Sequence, residues 1–296
     1  MRAEKIELAK GATCRQALAL FVQSATEQIV GNRSVVLETD DPEGAHQLRI
    51  GLRRLRSALR AFRPLMDTSA TREMDQHARA LARVIGELRD ADVFIKDIYG
   101  PVAGIMKGHG GLPPLSEALT AHRIRKRDAA RANLDGTHWS SLQLYLALWP
   151  RTLEEVTILD QPVAKFADHA IDAIWKKVAK SGQRVSDLEG DERHKMRKSL
   201  KKLRYTIEYF ASLYKPADVK PFVRQLKKLQ DVFGYVNDVV TAKQLDEISE
   251  EHCPESLPCQ RAAGSVIGWH TAEAAHCWAC AKKGWKDLEK THRFWR

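Results

Sequence analysis

The fold class is most clearly indicated by the segment His46-Gln-Leu-Arg49-Ile-Gly-Leu-Arg53-Arg54-Leu-Arg56-Ser-Ala-Leu-Arg60-Ala-Phe62. Its leucines and Phe62 recur every three or four residues, the period of an amphipathic helix. A different side of the same helix is basic, with His46, Arg49, Arg53, Arg56 and Arg60. We call this segment the first basic helix.

The pattern returns as His194-Lys-Met-Arg197-Lys-Ser-Leu-Lys201-Lys202-Leu-Arg204-Tyr-Thr-Ile-Glu-Tyr-Phe210, the second basic helix. The two histidines are 148 residues apart (194 − 46), and so are the two phenylalanines (210 − 62). The same offset relates Gly86 to Gly234, Asp90 to Asp238 and His122 to His270. This regularity predicts an internal duplication. We therefore expect an all-α fold of two tandem, pseudo-symmetric four-helix bundles, residues 1–157 and 158–296.

The charge of the basic helices needs an explanation. No acidic residue lies between Glu43 and Asp67, so the cations of the first basic helix have no partner on their own helix. Like charges at this spacing cost an isolated helix about 0.2–0.5 kcal/mol per pair. A run of charged residues usually forms a helix face that is only exposed to solvent. Because the basic stripe occurs twice, we favour a surface that binds a dense, repeating anion. A pseudo-two-fold axis would bring the two basic helices onto one surface or groove.

Composition limits the partners. The chain has 296 residues and a formal net charge of +10, which favours polyanions. It contains no apolar run of the roughly 18 residues that a membrane span needs, and its first residues do not resemble a secretory signal. Five cysteines without a framework pattern fit a reducing compartment better than a disulfide scaffold. We expect a cytoplasmic protein.

The remaining periodicity is helical, and we find no alternating strand pattern. Gly31-Asn32 is expected to end the first helix, Pro150 to kink or split another, and the stretch 100–114 to form a long loop. The predicted helices span 12–31, 69–99, 115–134, 139–156, 162–180 and 216–251.

The paired motifs resemble a known family. His-x-x-Arg-x-x-x-Arg/Lys-Arg/Lys-x-Arg occurs twice, each time followed by a helix with Leu-x-x-Leu…Gly-x-x-x-Asp. This combination resembles the CHAD domain, the conserved histidine α-helical domain, over about residues 10 to 296. The segments 46–62 with 81–93 and 194–210 with 226–239 carry the resemblance, and the stretch 268–295 is similar to the family's last helix.

The resemblance implies two four-helix bundles that bind inorganic polyphosphate through His, Arg and Lys side chains. Carried onto this chain, the binding residues are His46, Arg49, Arg53, Arg54, Arg56, Arg60, His194, Arg197, Lys198, Lys201, Lys202 and Arg204. We add basic residues of the helices that follow: Arg79, Arg83, Lys227 and Lys228.

Two features depart from the family. Many members are fused to a triphosphate-processing tunnel domain with a Glu-x-Glu-x-Lys motif, whereas Glu4 and Glu7 here have the wrong spacing. We therefore expect a stand-alone domain. Arg89 stands where the family usually has Asn, which Asn237 keeps in the second repeat.

The residue types also suit the ligand. Cations one helical turn apart, about 5.4 Å, can bind successive phosphates, and the planar guanidinium of Arg fits phosphate oxygens in bidentate fashion. His46 and His194 are candidates for binding phosphate as imidazolium, with a pKa raised by the anion. The alternative is a structural hydrogen bond within the bundle.

Other residues favour structural interpretations. Asp90 and Asp238 are candidate catalytic or metal-binding carboxylates, but pairing with an Arg is the favoured interpretation. Cys277 and Cys280, with Cys253, Cys259 and His252 nearby in sequence, suggest zinc, but small core residues in a helix are the simpler interpretation. The tryptophans are expected to pack in the core or at helix ends.

Three classes of function follow. The leading one is a non-enzymatic polyphosphate-binding module, associated with polyphosphate granules. The second is a nucleic-acid or general polyanion binder, against which stands the lack of aromatics between the basic positions. The third is a phosphohydrolase, against which stands the lack of a glycine-rich phosphate loop or a nucleophile motif. We expect no cofactor and no bound metal.

Overall fold

The fold is described from a computed structural model. It describes residues 1, 4 and 6–296, with the backbone alone at residues 236–238. The regular elements in this part of the chain are helices, as predicted, and β pairing is confined to an isolated bridge between Thr13 and Pro162. Among the described helices, none has both the length and the apolar character to cross a membrane.

The helices follow one another with short connections. The α-helices are α1 (Cys14–Glu38), α2 (Pro42–Phe62), α3 (Ser69–Val93), α4 (Gly100–Ile105), α5 (Leu112–Leu134), α6 (Thr137–Glu154), α7 (Val163–Gly182), α8 (Gly190–Phe210), α9 (Pro216–Ala242), α10 (Gln244–His252), α11 (Leu257–Trp278) and α12 (Ala281–Lys290). A π-helical segment, Phe94–Tyr99, joins α3 to α4, and 3₁₀ turns occupy Thr157–Asp160, Val185–Asp187 and Ala211–Leu213.

The basic helices α2 and α8 begin with acidic residues. The Asp41 side chain caps α2 by accepting a hydrogen bond from the Glu43 backbone N–H. Asp191 and Glu192 lie in the first turn of α8. Carboxylates at these positions satisfy free N–H groups and complement the positive end of the helix dipole.

The Gly31-Asn32 pair does not end the first helix as predicted, because tertiary contacts compensate for the two residues. Asn32 is buried, and its Nδ2 donates to the carbonyls of Gln28 and Met1 at 2.7 and 2.8 Å. A Cβ added at Gly31 would lie 2.7 Å from Met1 Sδ, so glycine permits this close approach. The helix therefore continues to Glu38.

The prolines also interrupt the helices less than predicted. Pro101 and Pro113 lie in the first turns of α4 and α5, where a missing N–H breaks no helical hydrogen bond, so the predicted loop 100–114 shrinks to 106–111. Pro150 lies inside the unbroken α6, on its exposed side near the C-terminal end. Conversely, the predicted long helix 216–251 is divided at Lys243 between α9 and α10.

Aromatic side chains from both halves of the chain meet in one core. Phe62 packs 6.0 Å from Phe21, 4.7 Å from Phe166 and 6.1 Å from Phe210, measured between ring centroids. These rings come from α1, α2, α7 and α8, so the hydrophobic core is continuous between residues 1–157 and 158–296. The duplication and the boundary at residue 157 stay predictions.

A second, smaller core joins the halves at another point. Apolar side chains of α5 and of the π-helical segment pack against α10 and α11, among them Phe94, Leu115, Leu245 and Val266. Here Gly111 approaches so closely that an added Cβ would lie 1.8 Å from the Pro258 carbonyl oxygen. This core positions the C-terminal end of α10 beside the middle of α5.

Candidate functional site

The two basic helices are neighbours in the structure. The Tyr209 hydroxyl of α8 donates a hydrogen bond to the Arg54 carbonyl of α2. Across the same contact the Arg53 guanidinium lies 4.5 Å from the centroid of the Tyr205 ring. This ring also has the Arg204 guanidinium 5.1 Å from its centroid. Cations that are distant in sequence therefore share one place on the surface.

The cations at this junction form a group that we call the central cluster: Arg49 and Arg53 of α2 with Arg197, Lys201 and Arg204 of α8. Lys201 is its centre, because the other four charges all act on its ammonium group. Partial burial, and then these four arginines, lower the pKa of Lys201 to about 7. Without an anion, the cluster therefore holds a lysine that is only about half protonated at neutral pH.

Arg53 and Arg204 of the central cluster each have a buried Nε without a hydrogen bond among the described residues. Burial lowers the pKa of Arg53, and its Nε finds no hydrogen-bond partner among the described residues. Arg204 Nε lies 3.2 Å from Glu208 Oε1, but the two groups are not aligned for a hydrogen bond. Buried donors are normally satisfied, so these groups are suited to an incoming acceptor.

Glu208 is a carboxylate that α8 places beside the central cluster. It occupies the position that matches Arg60 at the 148-residue offset (208 − 60). Partial burial raises the pKa of Glu208, while Arg204, Arg53 and Arg54 oppose this shift. Its negative charge partly neutralises the cations beside it.

Arg49 is held by α3. Its Nη1 donates to Asp90 Oδ1 at 2.7 Å and to the Gly86 carbonyl at 3.1 Å. Asp90 therefore pairs with an arginine, as the sequence favoured. The matching Asp238 and Asn237 lie outside the residues whose side chains are described.

Two further arginines of the basic stripe on α2, Arg56 and Arg60, share a carboxylate partner. Arg56 Nε and Arg60 Nη2 lie 2.8 and 3.1 Å from the two oxygens of Asp75 on α3. Partial burial lowers the pKa of Arg56 most, and the nearby charges of Arg60 and Arg79 lower it further. We call Arg56, Arg60 and Arg79, with Asp75, the flanking cluster.

The remaining predicted residues lie around these two clusters. Arg54 points away from the central cluster and donates to Gln28 Oε1 at 3.1 Å and Ser24 Oγ at 3.2 Å on α1. Lys202 lies near Arg60, and partial burial, Lys177 and Arg60 lower its pKa. The other predicted cations are exposed: Arg83, Lys198, Lys227 and Lys228.

The two histidines differ in their surroundings. Partial burial, and next the charge of Arg89, lowers the pKa of His46. Partial burial, Lys198 and Arg197 lower the pKa of His194. Both imidazoles are therefore mostly neutral at pH 7 without an anion. Arg89 is a further cation beside the site. The sequence analysis noted it only as a departure from the family, although the extra positive charge at this position could have indicated its place there.

The cysteines correct the sequence-based expectation. Cys253 and Cys259 form a disulfide, whereas reduced cysteines were expected. Cys277 is half-buried and Cys280 is exposed, because α11 ends at Trp278 and leaves them at its end rather than in a core. The tryptophans follow the prediction better, with Trp139, Trp149, Trp175, Trp285 and Trp295 buried.

Comparison with known proteins adds the family. The model of the CHAD domain matches residues 21–245. The crystal structure of the CHAD domain from the plant Ricinus communis is 26% identical, with a TM-score of 0.84 over 99% of this chain and 97% of that chain. PptA from Streptomyces chartreusis is 14% identical, with a TM-score of 0.66 over 93% and 100%, which shows the fold alone. Curated proteins yield no significant match.

Proposed function

The chain belongs to the CHAD domain family, and from this premise we propose that it binds inorganic polyphosphate at the central cluster, without catalysing a reaction. The observation that carries the proposal is the convergence of Arg49, Arg53, Arg197, Lys201 and Arg204 at the contact between α2 and α8. Cations placed this close repel one another unless an anion with matching charge density lies among them.

The lowered pKa of Lys201 supports the same conclusion. An anion bound beside Lys201 would oppose the repulsion from the four arginines and raise the pKa of this lysine again. The arginines beside it offer donors in fixed forks that match phosphate oxygens. Polyphosphate supplies such oxygens on every unit of its chain, so one molecule can contact both basic helices.

Nucleic acid is the alternative ligand, and the surroundings of Tyr205 argue against it. Single-strand binders stack bases on exposed aromatic rings. The Tyr205 ring is buried and has the Arg53 and Arg204 guanidinium groups within 4.5 and 5.1 Å of its centroid. It supports the cations and leaves no face for a base.

A competition titration tests the ligand. Labelled long-chain polyphosphate is bound to the protein, and single-stranded DNA, RNA or short oligophosphates are added at matched phosphate concentration and two salt concentrations. We expect polyphosphate to resist displacement by nucleic acid, and its affinity to fall steeply with salt through counterion release. Equal competition by DNA or RNA would make the surface a general polyanion site.

We propose that the protein is a binding module rather than a phosphohydrolase. Long-chain polyphosphate that is incubated with the protein and excess Mg²⁺ should therefore keep its length on a gel. We also propose that the protein associates with polyphosphate granules, which a fluorescent fusion should reveal by co-localisation with stained granules. Shortened chains or a diffuse signal would contradict the respective statement.

A further inference from the structure

A group of potential metal ligands lies away from the central cluster, where α5 meets α10. His122 on α5 and Glu251 and His252 on α10 place one donor atom each within 4.8 Å of one another. The His122 and His252 rings meet edge to face, with centroids 5.9 Å apart. The two helices are fixed relative to each other by the small apolar core beneath them.

We propose that His122, His252 and Glu251 bind a divalent transition-metal ion of the zinc class, which links α5 to α10. Two imidazole nitrogens and one carboxylate oxygen are a common zinc ligand set, and they leave a fourth position for water. Ligands at about 2.0–2.1 Å from a tetrahedral ion are about 3.3 Å apart, so small side-chain rotations must close the group.

Carboxylates are frequent around this group. A cleft of about 310 Å³ opens beside it, and its lining includes Glu87, Asp90, Glu247 and Glu251, together with Lys126, whose Nζ lies 3.1 Å from Glu87. The Arg125 guanidinium already stands among the ligands, with Nη2 2.7 Å from Glu251 Oε1 and 2.5 Å from His252 Nε2. Arg125 is half exposed, so its side chain can turn outward into solvent and a metal ion can take the place of the guanidinium group.

The two histidines are 130 residues apart in sequence (252 − 122), so no local spacing in the sequence indicated that they meet.

Zn²⁺ titration by calorimetry, on protein without a histidine tag or polyphosphate, tests the site. We expect one Zn²⁺ per chain, with at least tenfold weaker binding in His122→Ala and His252→Ala, and weaker binding in Glu251→Gln. Arg125→Gln should bind more tightly, because the competing guanidinium is gone. His169→Ala, which removes an exposed histidine of α7, is the matched control and should bind as the parent does.

Cobalt distinguishes this site from the cysteines. We expect Co²⁺ bound by nitrogen and oxygen to show weak visible bands without a strong near-ultraviolet thiolate band, in the parent and in Cys277→Ser/Cys280→Ser alike. Glu251→Gln and Arg125→Gln change exposed side chains, so they remain informative if a histidine variant unfolds. Unchanged Zn²⁺ affinity across the His122, His252 and Glu251 variants, or ligation by the two cysteines, would overturn the proposal.

Discussion

The central and flanking clusters come from the same basic stripe of α2 but differ in what α3 and α8 place against them. In the flanking cluster, one carboxylate from α3, Asp75, pairs with both Arg56 and Arg60. In the central cluster, Asp90 of α3 pairs with Arg49 alone, while α8 adds more cations, and the pKa of Lys201 falls to about 7. Whether a cation is free to bind an anion is therefore decided by the neighbouring helix, not by its own.

The largest effect should come from removing the central cluster. Arg49→Gln, Arg53→Gln, Arg197→Gln and Lys201→Gln together should weaken polyphosphate binding at least about 100-fold, because several charge-assisted contacts are lost at once. The dependence of log affinity on log salt should flatten by about three, since each contact contributes about 0.7 in a single strand. Fluorescence anisotropy at several salt concentrations measures both.

A charge-matched control makes this variant interpretable. Arg151→Gln, Lys165→Gln, Arg261→Gln and Lys286→Gln change the net charge equally, but these exposed residues lie on α6, α7, α11 and α12. The control should lose only a few-fold in affinity through the weaker overall field. Equal losses in the two variants would mean that net charge, not the central cluster, binds polyphosphate.

The next effect depends on pH. The pKa of Lys201 is about 7 without ligand, and a bound anion raises it, so binding takes up a proton. Affinity should therefore fall by about tenfold as the pH rises from 7 to 9. The lowered pKa values of His46 and His194 keep both histidines neutral across this range.

The matched variant for the pH effect is Lys201→Arg, because a guanidinium stays charged throughout this range. It should bind with nearly constant affinity between pH 7 and pH 9. Isothermal titration in buffers of different ionisation enthalpy counts the proton taken up by the parent. An equally steep pH profile in Lys201→Arg would assign the titration to another group.

Removing the carboxylate beside the central cluster should give a gain of binding. Glu208→Gln removes the negative charge that partly neutralises Arg204, Arg53 and Arg54. The affinity for polyphosphate should therefore rise about fivefold. Glu289→Gln on α12 removes an exposed carboxylate elsewhere and should have little effect. Weaker binding in Glu208→Gln, measured by anisotropy, would show that Glu208 positions Arg204 rather than competing with the anion.

The smallest effect should come from the flanking cluster. Asp75→Asn releases Arg56 and Arg60 and should tighten binding by about threefold if the anion extends along α2. The Arg56–Asp75 pair is partly buried, with side chains 18% and 27% exposed, so circular dichroism must first show that the variant is folded. Asp40→Asn, which releases Arg127 and Arg131 of α5, is the control. No change in Asp75→Asn would confine the site to the central cluster.

Much of the local structure could be predicted, and the errors have a common origin. The acidic starts of α2 and α8 and the pairing of Asp90 with an arginine follow from local rules. Gly31-Asn32 and Pro113 were misjudged because a contact with Met1, or a place in the first turn of a helix, removes the cost of these residues. The sequence around these residues does not show such contacts or the residue at which a helix begins.

The helical fold class, the family and the repeated basic stripe follow from the amino-acid sequence alone, because periodicity and motif spacing are local along the chain. Which of the cations are available to an anion depends on how the helices pack. Asp75 is distant in sequence from Arg56, Tyr205 is distant from Arg53, and the lowered pKa of Lys201 arises from burial and from charges on two helices. Electrostatic interaction depends on distance in space, which the order of residues does not fix.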